Sequence, residues 1–201
     1  MDTLSNDFRR TGIGGSDAGA ILGYSKWKTN VRLWEEKVGL VDQEDISEKP
    51  QVQRGKKMEA HLREMFSITH PWLTVGGEIK GKSEDYPFMF FTLDGTLTDT
   101  CGRSGVLEIK TAEVKNLKEW TNKVPQTYYC QVLHYLAATG FAFGMLYAYI
   151  QITLGSGEVS AYLKEYMIER DQADIDMLVQ NEREFWRCVE EKRKPNLIIR
   201  G

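Results

Sequence analysis

Hydrophobic positions along this chain change their spacing several times, and each change marks an element. Met1 to Phe8 reads as a loose start. Ser16 or Asp17 is placed to cap a short helix running through Leu22. Thr29 or Asn30 caps a second helix, V-R-L-W-E-E-K-V, closed by Gly39, with Leu33, Trp34 and Val38 inward. Val41 to Pro50 is an acidic, polar surface connection with Pro50 as its stop. Gln51 to Thr69 carries the helical repeat, and its buried stripe is Met58, Leu62, Met65 and Phe66. Thr74 to Ile79 fits a strand and Lys80 to Pro87 a polar break.

From Phe88 the pattern becomes an apolar strand, then Asp94, a second short strand, a glycine-containing turn, and a third strand from Val106 to Lys110. Pro125 opens a helix that Gly140 ends, with Tyr128, Val132, Tyr135 and Leu136 on its packed side. Phe143 to Thr153 is apolar on both faces, as in a strand covered from both sides. Gly155-Ser156-Gly157 turns the chain into Glu158 to Ile168, an antiparallel partner strand. Asp171 caps a final helix with Ile175, Leu178, Phe185 and Val189 inward, ending before Pro195. This order predicts a mixed α/β (α+β) fold in one domain spanning residues 1–201.

Composition narrows the picture. At 201 residues, with 41% apolar and 27% charged positions, the chain can bury a sizeable core. The start lacks the charged and apolar parts of a signal sequence, and no segment is apolar for long enough to span a membrane. The expected compartment is a reducing cytoplasm, because Cys101, Cys130 and Cys188 are odd in number and widely spaced. Neither they nor His61, His70 and His134 have zinc spacing. The net charge of −3 is unusual for a nucleic-acid protein, whose footprint is basic, unless positive charge is gathered inside a cleft or ring.

Candidate chemistry centres on the third strand. Strand side chains alternate, so Glu108 and Lys110 face one way while Ile109 faces the other. Asp94 ends the earlier strand 14 residues before Glu108. One Asp, one Glu and one Lys at a sheet edge can hold a hard divalent cation and activate a water beside it. The ordinary alternative is an Asp-Gly hairpin turn and a solvated Glu–Lys pair. Glu59 flanks the buried stripe of its helix, aimed either at water or into a polar site. Gln131 shares a helix face with Tyr135, as a buried amide or a site residue. Arg9 and Arg10 precede a glycine-rich turn feeding a helix N-terminus, which suits a phosphate as well as a plain capped helix. The string is neither a dinucleotide fingerprint nor a Walker A loop.

Four strings in order resemble one family. They are R-T-G-I-G-G-S-D-A near the start, R-G-K-K-M-E-A in the first long helix, L-D-G followed by L-E-I-K, and Q-V-L-H-Y in the later helix. Together they resemble the lambda exonuclease branch of the PD-(D/E)XK nucleases, the YqaJ-type viral recombinases, over nearly the whole chain. Leu93 departs from that pattern, standing where the family name implies Pro. The resemblance implies a restriction-endonuclease-like core, a central mixed sheet flanked by helices. It implies two Mg²⁺ ions per site, with Mn²⁺ as a substitute. Asp94, Glu108 and the main-chain carbonyl of Ile109 would be ligands, with Glu59 serving the second ion or its waters. Lys110 would orient and help deprotonate the attacking water, and Gln131 would stand behind the ligands or at the scissile region. Arg10 and the Gly12 to Ser16 turn, through Gly14, Gly15 and Ser16, would hold a 5′-phosphate. The implied activity is 5′-to-3′ digestion of linear double-stranded DNA for phage-type recombination. A homotrimeric ring and a single-strand annealing protein are the implied partners, in the cytoplasm of a bacterial host. A structure-specific or restriction-type endonuclease, and a DNA-binding protein without the chemistry, are the alternatives. Three scattered cysteines disfavour relatives with an iron–sulfur cluster.

Overall fold

A computed structural model describes residues 9–153 and 158–198. The loose start at residues 1–8 and the glycine turn at 155–157 lie outside the described residues. Strand β1 (Ile13–Gly14) leads into α1 (Gly15–Ile21), followed by α2 (Asn30–Lys37) and α3 (Pro50–Thr69). Strands β2 (Thr74–Val75), β3 (Ile79–Lys82), β4 (Met89–Leu93), β5 (Gly95–Thr98) and β6 (Ser104–Glu113) come next. Then follow α4 (Gln126–Thr139), β7 (Phe143–Thr153), β8 (Val159–Glu169) and α5 (Gln172–Glu190). The mixed α/β expectation holds. No helix among the described residues is long and apolar enough to cross a membrane.

The strands do not form one sheet. Five of them make a mixed sheet in the order β2-β5-β6-β7-β8, and three make a second sheet in the order β1-β4-β3. Strands β6 and β7 run parallel, and α4 is the crossover that parallel pairing requires. Alternation then assigns the two faces of the larger sheet. Leu107 and Ile109 of β6 meet Leu62 and Phe66 of α3, together with Phe143, Met145 and Tyr147 of β7. Val106 packs instead with Val132 and Leu136 of α4. Strand β7 is thus covered on both sides, as its continuous apolar run predicts.

Several local expectations need correction. Strand β6 extends well beyond Val106–Lys110, because parallel pairing with β7 continues to Glu113. The expected strand at Thr74–Ile79 is two strands in different sheets, and Lys80 to Lys82 is strand rather than polar break. Pro50 begins α3 instead of only ending the connection before it, since proline's missing N–H costs nothing in the first turn. Met65 is exposed, because α3 meets the sheet through Leu62 and Phe66 and leaves Met65 at its flank. Thr29 and Asp171 do cap α2 and α5, accepting from the amides of Arg32 and Asp174. The N-cap of α1 is Gly14, not Ser16 or Asp17; Asp17 sits one turn in and reaches back to the Gly14 amide.

Close approach of α1 to α4 explains two of the early glycines. A Cβ on Gly15 would lie 2.5 Å from the Tyr135 ring, and one on Gly19 would lie 2.4 Å from Thr127 Oγ1. Helix α5 is fastened to α4 by a buried ion pair. His134 Nδ1 lies 2.9 Å from Glu182 Oε1, both side chains are inaccessible to solvent, and His134 Nε2 lies 2.9 Å from the Phe90 carbonyl oxygen. Burial opposes a charge on His134, but Glu182 outweighs it and raises the imidazole pKa.

The α1–α4 contact gives a stability test. Gly15→Ala drives a methyl into a buried ring and should destabilise the chain by about 1–3 kcal/mol. Ser16→Ala, next door and exposed, should change stability by less than about 0.5 kcal/mol. Equal denaturant midpoints for Gly15→Ala and the parent chain would contradict the packing.

Candidate functional site

Asp94 is the single residue between β4 and β5, where the chain passes from one sheet to the other. Pairing of β5 with β6 stops at Gly95 opposite Leu107. Beyond that point β6 has no strand neighbour on this edge, yet its amides remain buried. Asp94 Oδ2 accepts the Ile109 N–H at 2.7 Å. Because the N–H and C=O of one strand residue leave on the same edge, the Ile109 carbonyl also projects toward Asp94. Asp94-Gly95 is therefore a sheet junction and not a hairpin turn.

Glu108 lies next to Ile109, on the opposite face of β6 and 1% exposed. Its Oε1 accepts from Gln131 Nε2 at 2.7 Å and from the Lys110 ammonium. Gln131 Nε2 also donates to the Tyr135 hydroxyl at 3.0 Å, so both bonds of the amide nitrogen are used, one across to β6 and one within α4. The other oxygen, Glu108 Oε2, is buried without a hydrogen-bond partner. Burial, reinforced by the nearby Asp94 charge, pushes the Glu108 carboxyl up to about 8. Asp94 is also raised by burial, against the pull of Lys110 and the Ile109 amide. Burial works against the Lys110 charge, but Glu108 and Asp94 outweigh it and raise the pKa of the ammonium. Glu59, on α3, is raised by burial and by Asp94, with Arg63 3.8 Å away as a weak counter-charge.

A buried carboxyl oxygen with no donor, beside a second carboxyl group, is what a hard cation fits once it displaces the proton that burial retains. No group of three or more His, Cys, Asp or Glu side chains among the described residues is gathered tightly enough to hold a metal by itself. The donor set that fits is thus Asp94, Glu108, the Ile109 carbonyl and water, with Glu59 at the outer side.

A cleft of about 790 Å³ opens on Asp94 and Glu59 and continues to Arg9, Arg10 and the glycine turn. The fold therefore joins the two candidate regions that the sequence keeps far apart. Arg10 is already engaged there: Nε donates to the Glu36 carbonyl at 3.2 Å, and a terminal nitrogen to Asp42 at 2.9 Å. The turn is also less open than expected. Asp17 Oδ2 takes the Gly14 N–H at 3.1 Å, and the Ile13 N–H goes to the Phe88 carbonyl. Lys37, 8% exposed, spends its ammonium on Asp17 at 2.8 Å and on the Arg9 and Gly12 carbonyls at 2.7 Å each. Burial opposes the Asp17 charge, but Lys37 more than offsets this and holds the carboxyl below its usual value.

Sequence reasoning missed Lys37 and Asp17 as the clamp on the turn, and Lys56, Lys80 and Lys82 as cleft residues, whereas the shared helix face of Gln131 and Tyr135 is met by the bond between them. Lys80 and Lys82 had a readable signal, since they alternate along a short strand. Lys37 had none, because it ends a helix as an ordinary basic residue.

Comparison with known proteins follows the same outline. The model of the YqaJ-like viral recombinase domain matches residues 6–142. The uncharacterized protein YqaJ of Bacillus subtilis (strain 168) is 35% identical over 184 residues, covering 89% of this chain and 53% of that protein. The chain thus spans about half the length of the curated relative it matches. Among solved structures, the alkaline exonuclease LHK-Exo from Laribacter hongkongensis superposes with a TM-score of 0.65 at 18% identity, covering 92% of this chain and 91% of that one. A phage related exonuclease from Haemophilus somnus gives 0.61 at 14% identity, covering 93% and 98%. At these identities the two structures establish a shared fold.

The Glu108 environment gives a pH signature. Between its ordinary value of 4.5 and its folded value of about 8, the unfolded chain has released a proton that the folded chain keeps. Stability should therefore fall as pH rises through that window. In metal-free buffer the melting temperature should drop between pH 5 and pH 8, and Glu108→Gln should flatten the drop. Parallel pH profiles for the two proteins would show that Glu108 is not the buried acid described.

Proposed function

Because the chain belongs to the YqaJ-like viral recombinase domain family, we propose that it is a Mg²⁺-dependent deoxyribonuclease digesting one strand of linear duplex DNA from its 5′ end. The observation that carries the reading is the buried Glu108 oxygen without a partner, close to Asp94, which lines a cleft that also holds Arg10, Lys80 and Lys82. Asp94, Glu108 and the Ile109 carbonyl would hold the cation, with Glu59 toward the second position. Mn²⁺ would substitute, because all donors are oxygens. Bound there, such ions supply a more acidic water and stabilise charge on the attacking and leaving oxygens.

The chain's own groups do the rest. Gln131 fixes the rotamer of Glu108 from behind, and the Ile109 amide fixes that of Asp94. Lys110 enters as an ammonium paired with Glu108, and would donate to the attacking water. It can take a proton only when the carboxylate charges that raise its pKa are neutralised. Arg10 faces the same cleft and would exchange Asp42 for a terminal phosphate, which it can grip with two N–H groups. A terminal phosphate carries more charge than an internal diester, so the end is favoured. The single nuclease domain would act in a bacterial cytoplasm, beside an annealing protein that takes the strand left uncut.

Digestion of three substrates tests this reading: linear duplex with a 5′-phosphate, the same duplex with a 5′-hydroxyl, and closed circular duplex. With Mg²⁺ the phosphorylated end should be consumed roughly ten- to a hundredfold faster than the hydroxyl end, and Arg10→Ala should erase most of the difference. Asp94→Asn should abolish digestion, and Lys110→Ala should slow it by about 10²–10⁴-fold. Cleavage of circles at a similar rate would point to an endonuclease, and no cleavage under any condition to a binding protein.

We also propose a homotrimer, in which positive charge is gathered on inner surfaces while the whole chain stays at −3. Light scattering should return about three times the 23.1 kDa chain mass. A particle of one chain mass at working concentration would remove the ring.

A further inference from the structure

Trp27 is 74% exposed, the most exposed of the large apolar side chains on the described surface. It lies in a turn between α1 and α2 that Ser25 Oγ ties together by accepting from the Trp27 and Lys28 amides at 3.3 Å each. The neighbouring Lys26 pairs with Glu119 on the segment that follows β6. That segment is anchored from beneath: Trp120 is 3% exposed, Leu117 and Val124 pack with it, and the Tyr166 hydroxyl bonds the Trp120 carbonyl. Such anchoring turns Lys115, Lys118 and Lys123 outward, and all three are exposed. Among the described residues none of the three forms an ion pair.

The same segment leads back to the candidate site. The Trp120 and Tyr128 rings are 5.2 Å apart, and Lys110 Nζ stands 5.6 Å from the Tyr128 ring. A chain of contacts therefore links Lys110, through Tyr128 and the buried Trp120, to the exposed surface of Glu119, Lys26 and Trp27, and Lys115, Lys118 and Lys123 lie exposed on the same segment as Glu119. That surface lies outside the cleft that holds Arg10.

We propose that this surface binds single-stranded DNA, with Trp27 stacking on an unpaired base and Lys115, Lys118 and Lys123 tracking the phosphates. An exposed aromatic face amid lysines is the pairing that holds single strands without reading their sequence. A duplex hides its base faces everywhere but the end, so an indole standing clear of the surface has little to stack on there. The surface fits a strand already separated from its complement at the site. The inference rests on the nuclease reading for the source of that strand, but not for the binding itself.

Binding of a fluorescein-labelled oligothymidylate, followed by anisotropy in EDTA at fixed salt, separates the two. Trp27→Ala should weaken binding roughly 5- to 150-fold, and Trp27→Phe should recover most of it. Lys115→Gln, Lys118→Gln and Lys123→Gln together should reduce the steepness of the salt dependence. Hydrolysis of a dinucleotide phosphodiester, too short to reach Trp27, should be unchanged in Trp27→Ala. Equal oligothymidylate affinity for Trp27→Ala and the parent chain overturns the proposal, whether or not the protein cuts DNA. Displacement of the oligonucleotide by polyglutamate, with polyglutamate bound more tightly than the oligonucleotide and through Trp27, overturns it in favour of an acidic protein partner. A chain that binds through Trp27 and never cuts DNA supports this surface and removes the nuclease.

Discussion

The bond from the Ile109 amide to Asp94 is the point on which the site depends. Strands β4 and β5 are consecutive in the chain but belong to different sheets, with only Asp94 between them. When β4 leaves, β6 is left with a buried edge that has no ladder partner past Leu107. A buried amide must find an acceptor, and the residue at the departure point supplies one from its side chain. The bond closes the gap between sheets and holds a carboxylate at the level of Glu108. Replacing Asp94 with an apolar residue would leave that amide orphaned as well as removing a charge. Asp94→Asn is the gentler substitution, because an amide oxygen can still accept.

Behind this junction, α4 settles the direction of Glu108. A carboxylate this deeply buried costs free energy unless it is paired, and here only one of its two oxygens is. The raised carboxyl pKa and the raised ammonium of Lys110 describe the same imbalance from its two sides. The site is short of positive charge. Burial of Glu108 beneath α4, whose Gln131 bonds it, produces that shortage, so the packing that stabilises the fold also leaves the site with uncompensated negative charge.

Local geometry was legible in the sequence and sheet membership was not. Alternation along β6 is a property of neighbouring residues, so Glu108 and Lys110 could be placed on one face without knowledge of the fold. The caps at Thr29 and Asp171 follow from the same short range. The division of β4 and β5 between two sheets follows from the partners of β4, which are β3 on one edge and on the other β1, whose two residues pair in parallel with a strand some seventy-five positions later. Nothing in a string of two residues announces that. Helix α4 is buried on nearly every side, so a one-faced reading captured Val132, Tyr135 and Leu136 and understated the rest. The glycine turn was legible as a turn, but its controller, Lys37, acts across 20 positions on Asp17 and carries no local mark.

Charges in the cleft fall into two kinds, and the difference bears on what can bind there. Lys37 is buried, and its ammonium is fully used by one carboxylate and two carbonyls. Breaking that set would leave a buried charge unpaired, at a cost of about 3–5 kcal/mol, so Lys37 is a fixed part of the turn. Arg10 and Lys80 are different. Their carboxylate partners are Asp42, which is 89% exposed, and Glu78, at 2.9 and 2.7 Å, while Arg10 Nε also donates to the Glu36 carbonyl. Pairs of that kind contribute about 0–1 kcal/mol, and a multiply charged anion can displace them. A near balance of positive and negative groups in the cleft therefore does not argue against an anionic ligand. The acids that neutralise the mobile cations can turn to water, whereas Asp94 and Glu108 are held by the main chain and by α4. An incoming phosphate would thus find cations that can move toward it and carboxylates that cannot move away.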